Sequence, residues 1–200
     1  MRAIKVFFLV MTAVFAQALC AQSSPVPMLE STANEIITTL KQNKSSLKHN
    51  HQIIHQAVER YLLPNVDVAG MSRSVLGREA WNKASPADRQ EFTRVFTQLV
   101  IRTYANPLAE YTDETVKFLP LRGPVDAHFA RVNSVIIRSS GQKIPLSYSL
   151  VSKNNTWKIY DLSVEGVSLL QSFRSQFGQI LHNSSMQALI SEMRKNSKAV

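Results

Sequence analysis

The stretch Ile144 to Phe173, IPLSYSLVSKNNTWKIYDLSVEGVSLLQSF, decides how the chain is read. In its first half Ile144, Leu146, Tyr148 and Leu150 share one face while Ser147 and Ser149 share the other, the alternation of a strand with one buried face and one wet face. The turn SKNNT then leads into a second strand-like run, 156–165, so the two form an antiparallel hairpin. After Gly166 the period changes from two to about 3.6, and Ser168-Leu169-Leu170-Gln171 reads as a capping box that opens a helix. A serine at a strand-to-helix turn is also where α/β-hydrolases keep a nucleophile. That motif requires a second glycine where this chain has Leu170, and alternating strands and helices where this chain has strands in succession. Ser168 is therefore read as a cap.

Upstream, runs 115–121 and 128–138 have the same β character, and the link SSGQK joins the second of them to the hairpin. The expectation is a four-stranded antiparallel sheet, with Ala130, Val132, Ser134 and Ile136 on its inner face. The chain before it is helical. Ile36, Ile37 and Leu40 mark one amphipathic stretch after Pro27. A second runs from about Gln52 to Leu63, where Pro64 is expected to stop it, and a shorter one lies between Met71 and Trp81. Ser85-Pro86-Ala87-Asp88 supplies a cap, a proline at the first helical position and an acid in the first turn. From it Phe92, Val95, Phe96, Leu99, Val100, Tyr104 and Leu108 recur every three or four residues, with Pro107 expected to break the helix near Ala105. Two helices, about 168–183 and 186–196, close the chain. The fold class is α+β, with helices and sheet enclosing an apolar space.

Arg2 and Lys5, the apolar run from Val6 to Phe15 and the small residues of AQALCAQ have the order of a secretory signal peptide, read as residues 1–21. A cut after Ala18 or after Ala21 leaves a small residue at the end. Gln17-Ala18-Leu19 before Cys20 matches a lipobox poorly. Residues 22–200 are read as a single exported domain, held together without a disulfide when the cut follows Ala21. They carry 21 Lys and Arg against 14 Asp and Glu, a balance of +7 that suits an anionic surface or acidic partner. Because the basic residues are scattered without interleaved aromatics, nucleic acid is not expected.

The residues offer no catalytic constellation. His49, His51 and His55 include a pair one helical turn apart, yet no carboxylate completes a metal motif. No phosphate loop and no cysteine-based site is present. Asp161 and Glu165 are expected to cap backbone or to pair with Arg174. No cofactor, metal or catalytic residue is assigned.

Taken together, LLPNVDVAGMSRSVLGREAWNKASPADRQEFTRVFTQLVIRTYANPLAEY and WKIYDLSVEGVSLLQSFRSQFGQIL resemble the MlaC family of periplasmic phospholipid-binding proteins, also called the toluene-tolerance family. The marks are Pro64 with Asp67, Leu76-Gly77 before Trp81, Ser85-Pro86 with Arg89 and Phe92, Thr103-Tyr104, and Glu165-Gly166-Val167-Ser168 followed by Arg174 and Phe177. The chain departs from the pattern at Phe173, where a tyrosine is frequent, and at Pro107. The resemblance implies a soluble periplasmic carrier, monomeric, that shuttles phospholipid between outer and inner membranes and maintains outer-membrane lipid asymmetry. Its implied partners are an inner-membrane ABC lipid-transport complex and an outer-membrane lipoprotein complex, met by transient docking. The alternatives from other classes are a secreted lipid hydrolase and a non-catalytic structural or adaptor protein. The residues expected to line the lipid site are Phe96, Leu99, Val100 and Tyr104 on the long helix, Val132, Ile136, Leu146, Tyr148, Tyr160 and Val164 on the sheet, and Val167, Leu170 and Phe173 at the closing helix. Val167 is expected to point beneath that helix.

Overall fold

The computed structural model describes residues 23–111, 113–121 and 126–196. Residues 1–21, expected to be an export segment, and Cys20 within them lie outside the described residues. Helix α4 (Pro86–Ala105) organises the helical side. Its start is built as the residues require: the Ser85 hydroxyl accepts from the Asp88 amide at 3.1 Å and donates to the Asp88 carboxylate at 2.8 Å. Phe92, Val95, Phe96 and Leu99 are buried along one stripe. At Asn106–Glu110 the chain tightens into a 3₁₀ turn, the break expected around Pro107.

Phe92 and Phe96 stack at 5.7 Å between centroids, and Phe173 and Phe177 of α5 (Leu169–Asn183) meet them edge-on at 5.2 and 5.9 Å. Leu189, Ile190 and Met193 of α6 (Met186–Asn196) complete this core, together with Met71, Val75 and Leu76 of α3 (Val68–Lys83). A second cluster joins Leu40 of α1 (Val26–Gln42) and Ile54 of α2 (Gln52–Ala57) to Ile101 and Ala105 at the far end of α4.

Two helices depart from the expectation. Beyond Ala57 the second does not stop at Pro64 but loosens into a π-helical turn, Val58–Leu62, and then tightens into a 3₁₀ turn, Leu63–Asn65. Proline fits there because the opening positions of a helical turn leave their N–H groups unpaired. The third is longer than expected and is broken within, at Gly77, whose φ of 75° and ψ of 164° lie outside helical space. Its start is capped by Asp67, which accepts from the Gly70 amide at 3.1 Å and takes an ion pair from Lys153 at 2.5 Å. Its end is fastened by Arg89, which donates to the carbonyls of Trp81 and Asn82 and lies over the Trp81 ring.

The sheet is antiparallel in sequence order, β1 (Thr115–Phe118), β2 (Phe129–Ile137), β3 (Lys143–Lys153), β4 (Thr156–Val164) and β5 (Val167–Ser168). It has five strands rather than four, because the chain turns back on β4 through Glu165 and Gly166, at φ 51° and 84°, before entering α5. Two successive positive φ angles are what a tight two-residue hairpin requires. The inner face of β2 is as expected, with Val132 and Ser134 buried and Ala130 and Ile136 half-buried.

Along β3 and β4 the alternation is interrupted. Tyr148 pairs with Leu162, but Leu150 pairs with Ile159, so β4 carries one extra residue opposite the Ser149–Leu150 step. The bulge changes the parity: Trp157 and Ile159 face inward before it, and Leu162 and Val164 after it. On the outer face Ser149, expected to be wet, is buried between its register partners Arg131 and Asp161, whose side chains are longer.

Candidate functional site

Ser168 is held as a helix cap. Its hydroxyl accepts from the Gln171 amide at 3.1 Å and donates to the Asp161 carboxylate at 2.6 Å. The other Asp161 oxygen accepts from the amides of Leu162 and Leu170. Asp161, from the strand behind, thus satisfies a second free amide in the first turn of α5, that of Leu170, beside the Gln171 amide that the Ser168 hydroxyl takes. Both the proton and a lone pair of the hydroxyl are committed to anchoring α5 on β4, which is a structural rather than a nucleophilic arrangement. Glu165 sits in the hairpin turn instead of pairing with Arg174, which has no described carboxylate partner. Among the described residues no three His, Cys, Asp or Glu side chains gather where a metal ion could bind.

The inner face of the sheet is where apolar surface collects. Register places Ser134, Leu146, Val164 and Val167 in one row across it, Ile136 and Ile144 in the next, and Val132, Tyr148 and Leu162 on the other side. At the Leu150 end this face is sealed: Val132, Leu150, Trp157 and Ile159 are buried, with Leu29 of α1 packed on them. Toward the β4–β5 turn the seal is lost. Ile136, Ile144, Leu146 and Val164 are half-buried, and Val167 is 63% exposed. An aliphatic shelf that the protein covers only partly is a surface on which hydrocarbon can be laid.

In the middle of this face the Ser134 and Tyr148 hydroxyls lie 3.5 Å apart, and Phe118 packs its ring 5.9 Å from that of Tyr148. Burial pushes the Tyr148 phenol above its ordinary range, partly countered by the Ser134 hydrogen bond, and burial also raises Tyr104. Both therefore remain neutral donors at neutral pH.

On the helical side a hollow of about 200 Å³ is bounded by Leu99, Thr103, Tyr104, Phe173, Phe177 and Met193, among others. It is smaller than the roughly 300–1,000 Å³ of an ordinary ligand pocket. The residues expected from the sequence thus fall into two groups. Phe96, Leu99, Val100, Leu170 and Phe173 belong to the helical core or pack against it, and Tyr104, 38% exposed, meets Phe173 edge-on. Val132, Ile136, Leu146, Tyr148 and Val164 share the inner face of the sheet, and Leu162 links the groups by packing into the helical core.

Two expectations are corrected. Tyr160 lies at the bulge and stacks edge-on against Phe129, 57% exposed, whose neighbour Ala130 occupies the inner face; the ring is therefore on the outer side. Val167 pairs with Val164 on the inner-face row, as its intended direction requires, yet at the sheet margin it is not covered by α5. The residues missing from the sequence-based set are Leu162, which alternation with Val164 could have supplied because the bulge falls before it, and Phe177, which the four-residue spacing from Phe173 could have supplied.

Against known proteins, the family model described as MlaC protein matches residues 30–195. The chain is similar to the toluene tolerance protein ttg2D of Pseudomonas putida, 28% identical over 176 residues that cover 88% of this chain and 81% of the relative. It is also similar to the intermembrane phospholipid transport system binding protein MlaC of Haemophilus influenzae, 26% identical over 180 residues, 88% of this chain and 84% of that one. Among solved structures, a phospholipid-binding protein from Ralstonia solanacearum, in complex with a phospholipid, matches with a TM-score of 0.79. It is 25% identical, over 89% of this chain and 97% of the other.

Proposed function

Because the chain belongs to the MlaC protein family, we propose that it is a non-catalytic phospholipid carrier, exported to the periplasm as a monomer, that passes lipid between outer- and inner-membrane complexes. The observation that carries this reading is the half-covered shelf of Ile136, Ile144, Leu146 and Val164, running out to Val167 at the sheet margin. In a folded monomer such a surface is left in contact with water, at a cost. Laying acyl chains on it recovers that cost. The hollow beside Tyr104 is too small for two chains, so the shelf takes the larger part of them. Leu146, Tyr148 and Val164 meet hydrocarbon, and the Tyr148 and Ser134 hydroxyls face ester oxygens, while Val132 stays in the sealed part of the face.

Burial contributes about 0.8 kcal/mol per methylene, so roughly 28 methylenes amount to at most about 22 kcal/mol relative to water. That is close to the ceiling of noncovalent affinity. Spontaneous release into water is then negligible, and delivery requires docking that opens the site to a membrane partner. The similarity to a phospholipid-bound relative supports the same cargo here. Organic extraction of freshly purified protein followed by mass spectrometry should recover diacyl phospholipid at about one molecule per chain. Its consistent absence would overturn the reading.

A further inference from the structure

We propose that the cleft between α3 and α5 is a binding site for a phosphate group. Arg73 and Arg78 of α3 and Arg174 of α5 line a cleft of about 520 Å³, with Ser74, Trp81 and Asn82 around them. The break at Gly77 shapes it. A side-chain carbon at that position would stand 3.8 Å from an Nη atom of Arg174, so the guanidinium lies close to bare backbone, in a conformation (φ 75°) that glycine adopts without strain.

None of the three guanidiniums has a carboxylate within ion-pairing distance among the described residues. Arg60, Arg102, Arg131 and Arg138 are likewise without such a carboxylate, so what distinguishes these three is that they line one cleft, whereas other arginines are engaged. Glu91 holds both Arg94 and Arg194, and Arg89 is engaged with two carbonyls. Three like charges in one concavity repel one another and focus a positive potential, which an anion relieves. Guanidinium forks suit planar or tetrahedral oxyanions, which they bind through paired N–H···O contacts. A single carboxylate offers two oxygens and one charge to three forks. A phosphate offers more oxygens, with the Ser74 hydroxyl and Asn82 amide as neutral supplements. The cleft is polar where the shelf on the sheet is aliphatic, so this inference goes beyond the carrier reading and does not depend on it.

The source of the phosphate, a free anion or a lipid headgroup at a bilayer surface, is separated by two titrations of the purified protein at low salt. Calorimetry with inorganic phosphate tests the free anion. Co-flotation with phosphatidylglycerol vesicles, against neutral phosphatidylcholine vesicles, tests the headgroup. Arg73→Gln, Arg78→Gln and Arg174→Gln should each weaken the binding about tenfold, the loss of one charge-assisted contact. Arg131→Gln, on the outer face of the sheet, should leave it unchanged. Saturable phosphate binding lost in the cleft variants identifies a free-anion site, and flotation alone lost in the same variants identifies a headgroup site. If Arg174→Gln lowers the melting temperature, the exposed Arg73 and Arg78 variants decide. Binding of neither probe, or binding that all three variants retain at the strength of the unmodified protein, overturns the proposal.

Discussion

The two ends of the sheet's inner face are built from the same kinds of side chain and are finished differently. At one end Val132, Leu150, Trp157 and Ile159 are sealed by Leu29 of α1, and the Trp157 indole donates to the Ser23 carbonyl at 2.5 Å, tying down the start of the described chain. At the other, Ile136, Ile144, Leu146 and Val164 are left half-covered and Val167 is bare. Apolarity alone does not distinguish core from binding surface; what lies on top of it does. The sealed end should therefore answer to mutation in stability and the open end in lipid content.

The largest effect is expected at the sealed end. Leu150→Ala removes a fully buried side chain and should cost about 2–5 kcal/mol in denaturant unfolding, with lipid per folded molecule close to normal. Selective lipid loss without destabilisation would erase the distinction between the ends.

Ser168→Ala, at the margin of the open end, removes a cap and leaves the Asp161 oxygen without the hydroxyl it accepts from. A loss of about 1 kcal/mol is expected, and incubation with phospholipid should release no fatty acid before or after the change. Turnover abolished by this substitution would instead revive a hydrolase.

Smaller again in stability is Val167→Glu. An exposed position should move unfolding by no more than about 0.5 kcal/mol, yet the new carboxylate stands in the row of Leu146 and Val164 and opposes hydrocarbon there. Lipid recovered after extraction should fall sharply while circular dichroism melting hardly changes; a normal lipid content would remove Val167 from the site.

The smallest effect lies away from both ends. Hydrogen bonds from Arg94, and then Arg194, hold the Glu91 carboxyl down at about 2, from an ordinary 4.5. A depressed carboxyl stabilises the folded state above its unfolded value, and that contribution fades as pH falls from about 4.5 through 2. The melting temperatures of the unmodified protein and Glu91→Gln should differ slightly at pH 6 and converge toward pH 2. A gap that persists at pH 2 would mean that the ion pairs are not its source.

Much of this is legible in the sequence. Ser85-Pro86-Ala87-Asp88 started its helix, SSGQK and SKNNT separated paired strands, and Ser168 capped, because each signal is satisfied by neighbours within a few residues. The α+β class followed from the change of period alone. Tyr160 was placed on the wrong face because parity counting assumes an uninterrupted ladder, and one bulge residue reverses it. The β4–β5 turn was missed because Glu165 at positive φ is an uncommon choice of residue there. The family resemblance suggested the cargo but not which aliphatic residues would meet it.

By itself the sequence determined the order of helices and strands, the caps that bound them and the apolar character of the sheet's inner face, since these depend on local spacing and backbone preference. Only the tertiary structure decided that Leu150 is sealed while Leu146 is half-open, that the carboxylate anchoring Ser168 is Asp161, and that Arg174 comes to rest beside Gly77 and the arginines of α3. Burial and charge proximity are properties of segments far apart in the chain, and nothing local to either partner specifies them.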